Sequence, residues 1–166
     1  MMHGWTLLLW VAGGLLAGFL AWGAFLLRRS LGGSIARLGM IEIASIPGLA
    51  EECRGTVRER LKIDLDPRRP EETARALDEL VLTGRLRTLF KADGYDMRYV
   101  EPVGAFLGEL IRRHAGAEWV EDARGPRVRV HRPDGEEELE PFQLALRHHT
   151  HGTPGQLHAW VMSAVR

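Results

Sequence analysis

The chain lacks charge at one end and lacks a charge excess of either sign overall. No Lys, Arg, Asp or Glu occurs before Arg28, although the 166 residues include 22 basic and 22 acidic side chains. Nucleic-acid-binding proteins carry a basic excess that neutralises phosphates, so no nucleic-acid partner is expected. Cys53 is the only cysteine, which excludes an intrachain disulfide and fits a reducing compartment.

Sequence motifs of known catalytic chemistry are also missing. The chain contains no H-E-x-x-H zinc motif, no G-x-S-x-G nucleophile elbow, no phosphate-binding G-x-x-x-x-G-K-[ST] and no G-x-G-x-x-G after a strand. No catalytic residue, cofactor-binding residue or cofactor is therefore predicted. The lack of these motifs favours a protein that is not an enzyme.

A long uncharged segment is present instead, at residues 5–27. As an α-helix rising 1.5 Å per residue, it is long enough to cross a hydrocarbon core of about 30 Å. A cleaved export signal would carry Lys or Arg before the apolar segment, but here Arg28 and Arg29 follow it. These two residues form a membrane flank that the positive-inside rule keeps in the cytoplasm.

The charge pattern therefore predicts a single-pass protein of the inner membrane with its N-terminus outside, in contact with the lipid bilayer. It divides the chain into four parts, which are a short extracytoplasmic N-terminus (1–4), a transmembrane helix (5–27), a juxtamembrane linker (28–46) and a cytoplasmic α+β domain (47–166).

Two pairs of glycines are spaced four residues apart. Gly14 and Gly18 lie within the predicted span, where small residues at this spacing let two helices approach closely. Gly104 and Gly108 lie in a predicted helix of the soluble domain, where each costs roughly 1 kcal/mol relative to Ala. We expect the second pair to allow a strand or helix to pack close to that helix.

Hydrophobic periodicity predicts about three to five helices and a short antiparallel sheet in the soluble domain. Helices are expected after Pro47, Pro70 and Pro141, and around Pro102, because proline suits the first turn of a helix. Between Pro102 and Pro141, valines alternate with Arg127, Arg129 and His131, as in a half-buried strand. A Pro-Asp-Gly turn leads to an acidic strand, which predicts a cross-strand lattice of opposite charges.

The histidine-rich segment at the end of the helix after Pro141 is the single stretch that suggests chemistry. His148, His149 and His151 are the candidates for a metal site there, with His131 or His158 as a further ligand. Histidines also suit a helix C-terminus because of the helix dipole. We expect them to be solvated and to bind no metal.

One part of the chain resembles a known group of proteins. The segment from Val100 to His149 is similar to small bacterial domains of unknown function, with a Gly-aromatic-x-Gly-Glu helix, a strand beginning with Trp and a Pro-Phe entry into the next helix. The matching positions are Gly104, Ala105, Phe106, Gly108, Glu109, Trp119, Pro141 and Phe142. This resemblance implies an α+β fold and no activity.

The function expected from these observations is that of a membrane-tethered cytoplasmic interaction module, which binds a protein partner or its own copy. Tethering would raise the effective concentration for such a partner. One alternative is a small membrane-bound metal-dependent hydrolase that uses His148, His149 and His151. Another is an immunity or stress-response protein, which would behave as an interaction module.

Overall fold

The described part of the chain is an α+β domain with six helices and one three-stranded antiparallel sheet. The computed structural model describes residues 40–90, 97–122 and 124–166. A 3₁₀ turn at Ile43–Ser45 precedes the first helix. The helices, in chain order, are α1 (Ile46–Leu61), α2 (Pro70–Leu82), α3 (Arg85–Leu89), α4 (Met97–Ala115), α5 (Pro141–His151) and α6 (Gln156–Val165). The strands are β1 (Glu118–Asp122), β2 (Gly125–Arg132) and β3 (Gly135–Leu139).

The membrane part of the predicted fold class is corrected by this structure. Among the residues described, no helix has the length and apolar character needed to cross a bilayer. The physical reason is that these helices either carry charged side chains, as α4 does, or are too short, as the ten-residue α6 is, whereas a span must be long and apolar. The predicted helix at 5–27 lies outside the described residues, as do Gly14, Gly18, Arg28 and Arg29. The single-pass architecture and the inner-membrane location with an outward N-terminus are therefore not supported.

Proline opens three of the helices, as the sequence predicts. Pro47 lies in the first turn of α1, and α2 and α5 begin at Pro70 and Pro141. Proline fits this position because its missing N–H is one that the first turn leaves unpaired in any case. α1 ends where Lys62 adopts the left-handed conformation, with φ of 58°.

Helix α4 is the central element of the fold. It packs against α1 on one side and against α5, α6 and β2 on others, and every residue from Pro102 to Ile111 is buried. The sequence predicts that Pro102 lies near the first turn of this helix, but the helix begins five residues earlier, at Met97. Burial on all sides outweighs the cost of a proline inside the helix.

The sheet follows chain order, β1-β2-β3, and both pairings are antiparallel. Val128 and Val130 of β2 pack against Ile111 of α4 in a small apolar cluster. Since successive side chains of a strand point to opposite faces, Arg127 and Arg129 lie on the face away from this cluster. The predicted hairpin and its alternation are confirmed.

Two glycines of α4 allow bulky side chains to contact its backbone. A Cβ built at Gly104 would lie 2.8 Å from Cα of Phe142, and one at Gly108 would overlap the six-membered ring of Trp119. The Trp119 and Phe142 rings lie side by side, with centroids 5.9 Å apart. Gly104 and Gly108 thus line a groove in α4, which we call the glycine groove, and it receives the first residues of β1 and α5.

Replacing Gly108 with Ala is expected to lower the free energy of unfolding by about 1–3 kcal/mol, because the new methyl group must displace the indole of Trp119. The matched control is Gly55→Ala in α1, where a Cβ meets no atom within 4 Å. That change is expected to stabilise the helix by roughly 0.5–1 kcal/mol. Urea unfolding of the full-length variants measures both. Equal stability of the two variants would contradict the close packing at Gly108.

Candidate functional site

The face of the sheet opposite the core carries a lattice of opposite charges. We call it the charged sheet face, and its residues are Glu118 and Asp122 of β1, Arg127, Arg129 and His131 of β2, and Glu136 and Glu138 of β3. The register places Arg129 between Glu118 and Glu138, and His131 opposite Glu136. Arg129 Nη2 donates to Glu138 Oε1 at 3.1 Å, and His131 Nδ1 lies 3.3 Å from Glu136 Oε1. The cross-strand lattice expected from the sequence is present.

Arg127 is the fixed centre of this lattice. Its side chain is only 8% exposed, and its guanidinium donates to Glu138 Oε2 at 2.6 Å and to Asp122 Oδ2. Glu140, just after β3, lies 3.8 Å away on a third side. A guanidinium held by carboxylates from both neighbouring strands has little freedom to move, so the pattern of charge on this face is rigid.

Asp122 and Glu138, the two carboxylates that accept hydrogen bonds from Arg127, are held in their ionised form. The backbone N–H of Arg124 and the charges of Arg127 and Arg124 lower the pKa of Asp122. Hydrogen bonds from Arg129 and then Arg127 lower the pKa of Glu138. In the same way, the hydrogen bond to Glu138 raises the pKa of Arg129. Asp122 and Glu138 therefore keep their charges well into mildly acidic solution.

A second charged cluster joins α4 to β1 beside the glycine groove. Glu109 is 5% exposed, and its carboxylate receives two hydrogen bonds from Arg112, at 2.8 and 2.9 Å. The indole N–H of Trp119 donates to Glu109 Oε1 at 2.9 Å. Burial alone would raise the pKa of Glu109, but the hydrogen bonds from Arg112 and Trp119, with the charges of Arg112 and Arg113, outweigh it and lower the pKa. This cluster fixes the indole in the glycine groove.

The structure describes no site that contains the three candidate metal ligands together. His148 is buried, with its Nδ1 3.2 Å from Gln156 Oε1 and its Nε2 3.2 Å from Asp78 Oδ1. The expectation that it is a solvated residue at a helix end is wrong, because it continues the apolar stripe of Leu144 and Ala145 one turn further along α5. The side chains of His149 and His151 lie outside the described residues.

The other histidines of the predicted set lie apart from His148. His131 is half-exposed on the charged sheet face, and His158 of α6 lies 3.4 Å from Arg75 of α2. Within the described ranges, no group of three or more His, Cys, Asp or Glu side chains is arranged to hold a metal ion. Cys53 is fully buried on α1, and this burial raises the pKa of its thiol.

Sequence reasoning assigned no role to the side chains of Asp78, Glu109 and Gln156, whose polar groups are central to these clusters. Asp78 has a visible pattern: it lies four residues after Ala74 and three before Val81, on the inner stripe of α2. A carboxylate at such a position must find partners inside the fold, since burying an unpaired charge is costly. Glu109 likewise interrupts the apolar face of α4. Gln156 offers no such pattern, because it opens α6 at an exposed position.

Comparisons of the chain with models of protein families, with curated proteins and with solved structures found no match in any of the three. The resemblance over residues 100–149 therefore carries no argument for function.

Glu109→Gln is expected to destabilise the fold by about 1–3 kcal/mol at pH 7, since the amide keeps a bond from Trp119 but loses the charge that Arg112 and Arg113 face. The pKa of Glu109 is lowered in the fold, so its ionised form adds stability above the usual glutamate range. That contribution is lost as the pH falls from about 5 through the lowered pKa. Urea unfolding at pH 7 and at pH 3 tests this, because the difference in free energy of unfolding between wild type and variant should be smaller at pH 3.

The matched control for this measurement is Glu51→Gln, whose carboxylate pairs with Arg54 at 3.1 Å but is 68% exposed. An exposed pair of this kind contributes less than about 1 kcal/mol. A loss of unfolding free energy in Glu109→Gln that stays constant with pH, or that equals the loss in the control, would contradict the stabilising role of ionised Glu109.

Proposed function

We propose that this domain is an interaction module that binds a protein partner, or a second copy of the chain, through the charged sheet face. The observation that supports the proposal is the rigid lattice around Arg127, which presents both signs of charge in fixed order on an exposed surface. Electrostatic patterns of this kind select partners and speed their association more than they add affinity.

The balance of charge on this face indicates the chemistry of the partner. Four carboxylates, from Glu118, Asp122, Glu136 and Glu138, surround two guanidinium groups and one imidazole. Glu118 and Glu136 are the most exposed of these carboxylates, at 57% and 59%. The face is therefore net acidic at its rim, where solvent reaches it, and fits a partner surface with Lys or Arg side chains placed to meet these two residues.

The enzyme alternative gains no support from the histidine whose side chain is described. A hydrolase that uses His148 needs its ring to reach both a metal-bound water and a substrate. The ring is instead enclosed by Asp78 and Gln156, with a fully buried side chain. A role in immunity or stress response would use the same binding surface as the proposed module.

The proposal predicts that Glu118→Lys with Glu136→Lys abolishes binding by the full-length chain. The immobilised wild type and variant are compared for proteins captured from the native cell extract, quantified by mass spectrometry. The expected result is a specific partner depleted by at least about tenfold in the variant, since two lost charge pairs at an interface can each cost more than 1 kcal/mol. Association of the chain with itself is measured in parallel by sedimentation velocity, at low and at high salt.

The matched control is Glu52→Lys with Glu59→Lys, which makes the same change of net charge at exposed positions of α1. A specific partner should be retained by this control and should be released by high salt. Equal loss in both variants would show that bulk charge, not the sheet face, governs capture. A partner retained by the sheet variant would contradict the proposed surface.

A further inference from the structure

The two edge strands of the sheet differ in how much of the domain lies against them. β1 contacts the 3₁₀ turn at Ile43–Ser45, and its residues Trp119 and Val120 are half-buried. Among the described residues, β3 pairs with β2 alone. Its first four residues, 135–138, are all exposed, so neither face of this strand is covered there. β3 is therefore the open edge of the sheet in the described part of the chain.

The register shows which backbone groups of this edge are unpaired. A two-residue loop joins Arg132 to Gly135, so these two residues form the hydrogen-bonded pair next to the turn. Hydrogen-bonded pairs alternate with non-hydrogen-bonded pairs along an antiparallel ladder. The backbone of Glu137 is therefore bonded to β2, whereas the N–H and C=O groups of Glu136 and Glu138 point away from it. No described residue makes a hydrogen bond to these outward groups.

Unpaired groups at a sheet edge are a template on which an extended segment can add as a further strand. The neighbouring side chains decide which segment fits. Glu136 and Glu138 project onto the charged sheet face and Glu137 onto the opposite face, so an added strand meets carboxylates on both of its sides. The cations that pair with these three carboxylates all lie on β2. Since a carboxylate accepts several hydrogen bonds, its side away from β2 can receive a further donor.

The charge of the whole sheet favours a basic segment. From Glu118 to Glu140 the sequence holds eight carboxylates and four guanidinium groups, although the complete chain is neutral. The sheet and its loops are thus the acidic part of a neutral molecule. A second copy of the chain does not fit this edge, because both edge strands, Glu-Trp-Val-Glu-Asp in β1 and Gly-Glu-Glu-Glu-Leu in β3, are acidic. Pairing either of them with β3 would place like charges opposite one another.

We propose that the outer edge of β3 is a strand-addition site for an extended, basic segment of a protein partner. The segment pairs antiparallel with β3, as β2 does, and places Lys or Arg opposite Glu136 and Glu138. These two basic residues exchange backbone hydrogen bonds with Glu136 and Glu138, and their side chains meet the two carboxylates on the charged sheet face. This inference rests on the proposed function, because it takes the partner to be a protein, and it specifies how that partner is held.

The test adds a synthetic peptide, acetyl-Thr-Arg-Val-Arg-Thr-amide, to the full-length, ¹⁵N-labelled chain at low ionic strength. Saturating peptide is expected to slow hydrogen exchange of the Glu136 and Glu138 amides by about tenfold or more, because each gains a backbone hydrogen bond. The amide of Glu137 already bonds to β2, so its exchange should change little and serves as the internal control. Exchange that slows equally at all three amides, or at none of them, would overturn the proposal.

The peptide also provides a matched chemical control, measured by isothermal titration. N-methylation of both Arg residues removes the two N–H groups that point at β3 but keeps both charges, and it is expected to weaken binding by roughly tenfold or more. N-methylation of the central Val alters an N–H that points away from β3, so the affinity should stay within about twofold. Equal affinities of the two N-methylated peptides, or no binding of the unmodified peptide at millimolar concentration, would contradict strand addition.

These outcomes are separate from those that test the proposed function. If both N-methylated peptides bind as tightly as the unmodified one, the basic side chains meet the charged sheet face without adding a strand. In that case the strand-addition proposal fails and the proposed function stands. If a partner from the cell extract is retained by Glu118→Lys with Glu136→Lys, the proposed function fails, and the peptide measurements still decide whether β3 accepts a strand.

Discussion

The close contact between the backbone of α4 and two aromatic rings is the constraint on which the rest of the domain depends. Gly104 and Gly108 remove the side chains that would hold Phe142 and Trp119 away from the helix. Because Trp119 is the second residue of β1 and Phe142 is the second residue of α5, this one groove sets where the sheet starts and where the chain returns to the helical core. The core contacts of α1 and of β2 with α4 are then made on its remaining faces.

Two of the polar clusters follow a common rule. In each, a carboxylate on the inner side of a helix accepts a hydrogen bond from another element, as Glu109 does from the indole of Trp119 and Asp78 does from the first turn of α6. A buried carboxylate without such donors would be strongly destabilising, so these clusters restrict the fold to arrangements that bring the donors into place. They therefore contribute to the specificity of the fold as much as to its stability.

The sequence predicts local structure well wherever a short pattern determines it. The hairpin follows from alternation at Arg127, Val128 and Arg129, and the helix starts follow from proline. The start of α4 could not be predicted, because Pro102 is accepted inside a helix that is buried on every side. The burial of His148 was missed for a related reason: its partner Asp78 is seventy residues away, and the pairing depends on how α2, α5 and α6 meet. The alternating charges of the sequence predicted the charged sheet face. The enclosure of Arg127 by carboxylates could not be predicted, because it depends on the register between the strands.

The outer edge of β3 has a consequence for how copies of this domain can meet. In the described part of the sheet β3 pairs with β2 alone, and its free backbone groups could in principle extend the sheet into a neighbouring molecule. Glu136, Glu137 and Glu138 follow one another along that edge, so two such edges brought side by side would place carboxylates against carboxylates. Charge repulsion thus protects the exposed strand against strand-to-strand aggregation while leaving the broad face of the sheet open to a partner of opposite sign.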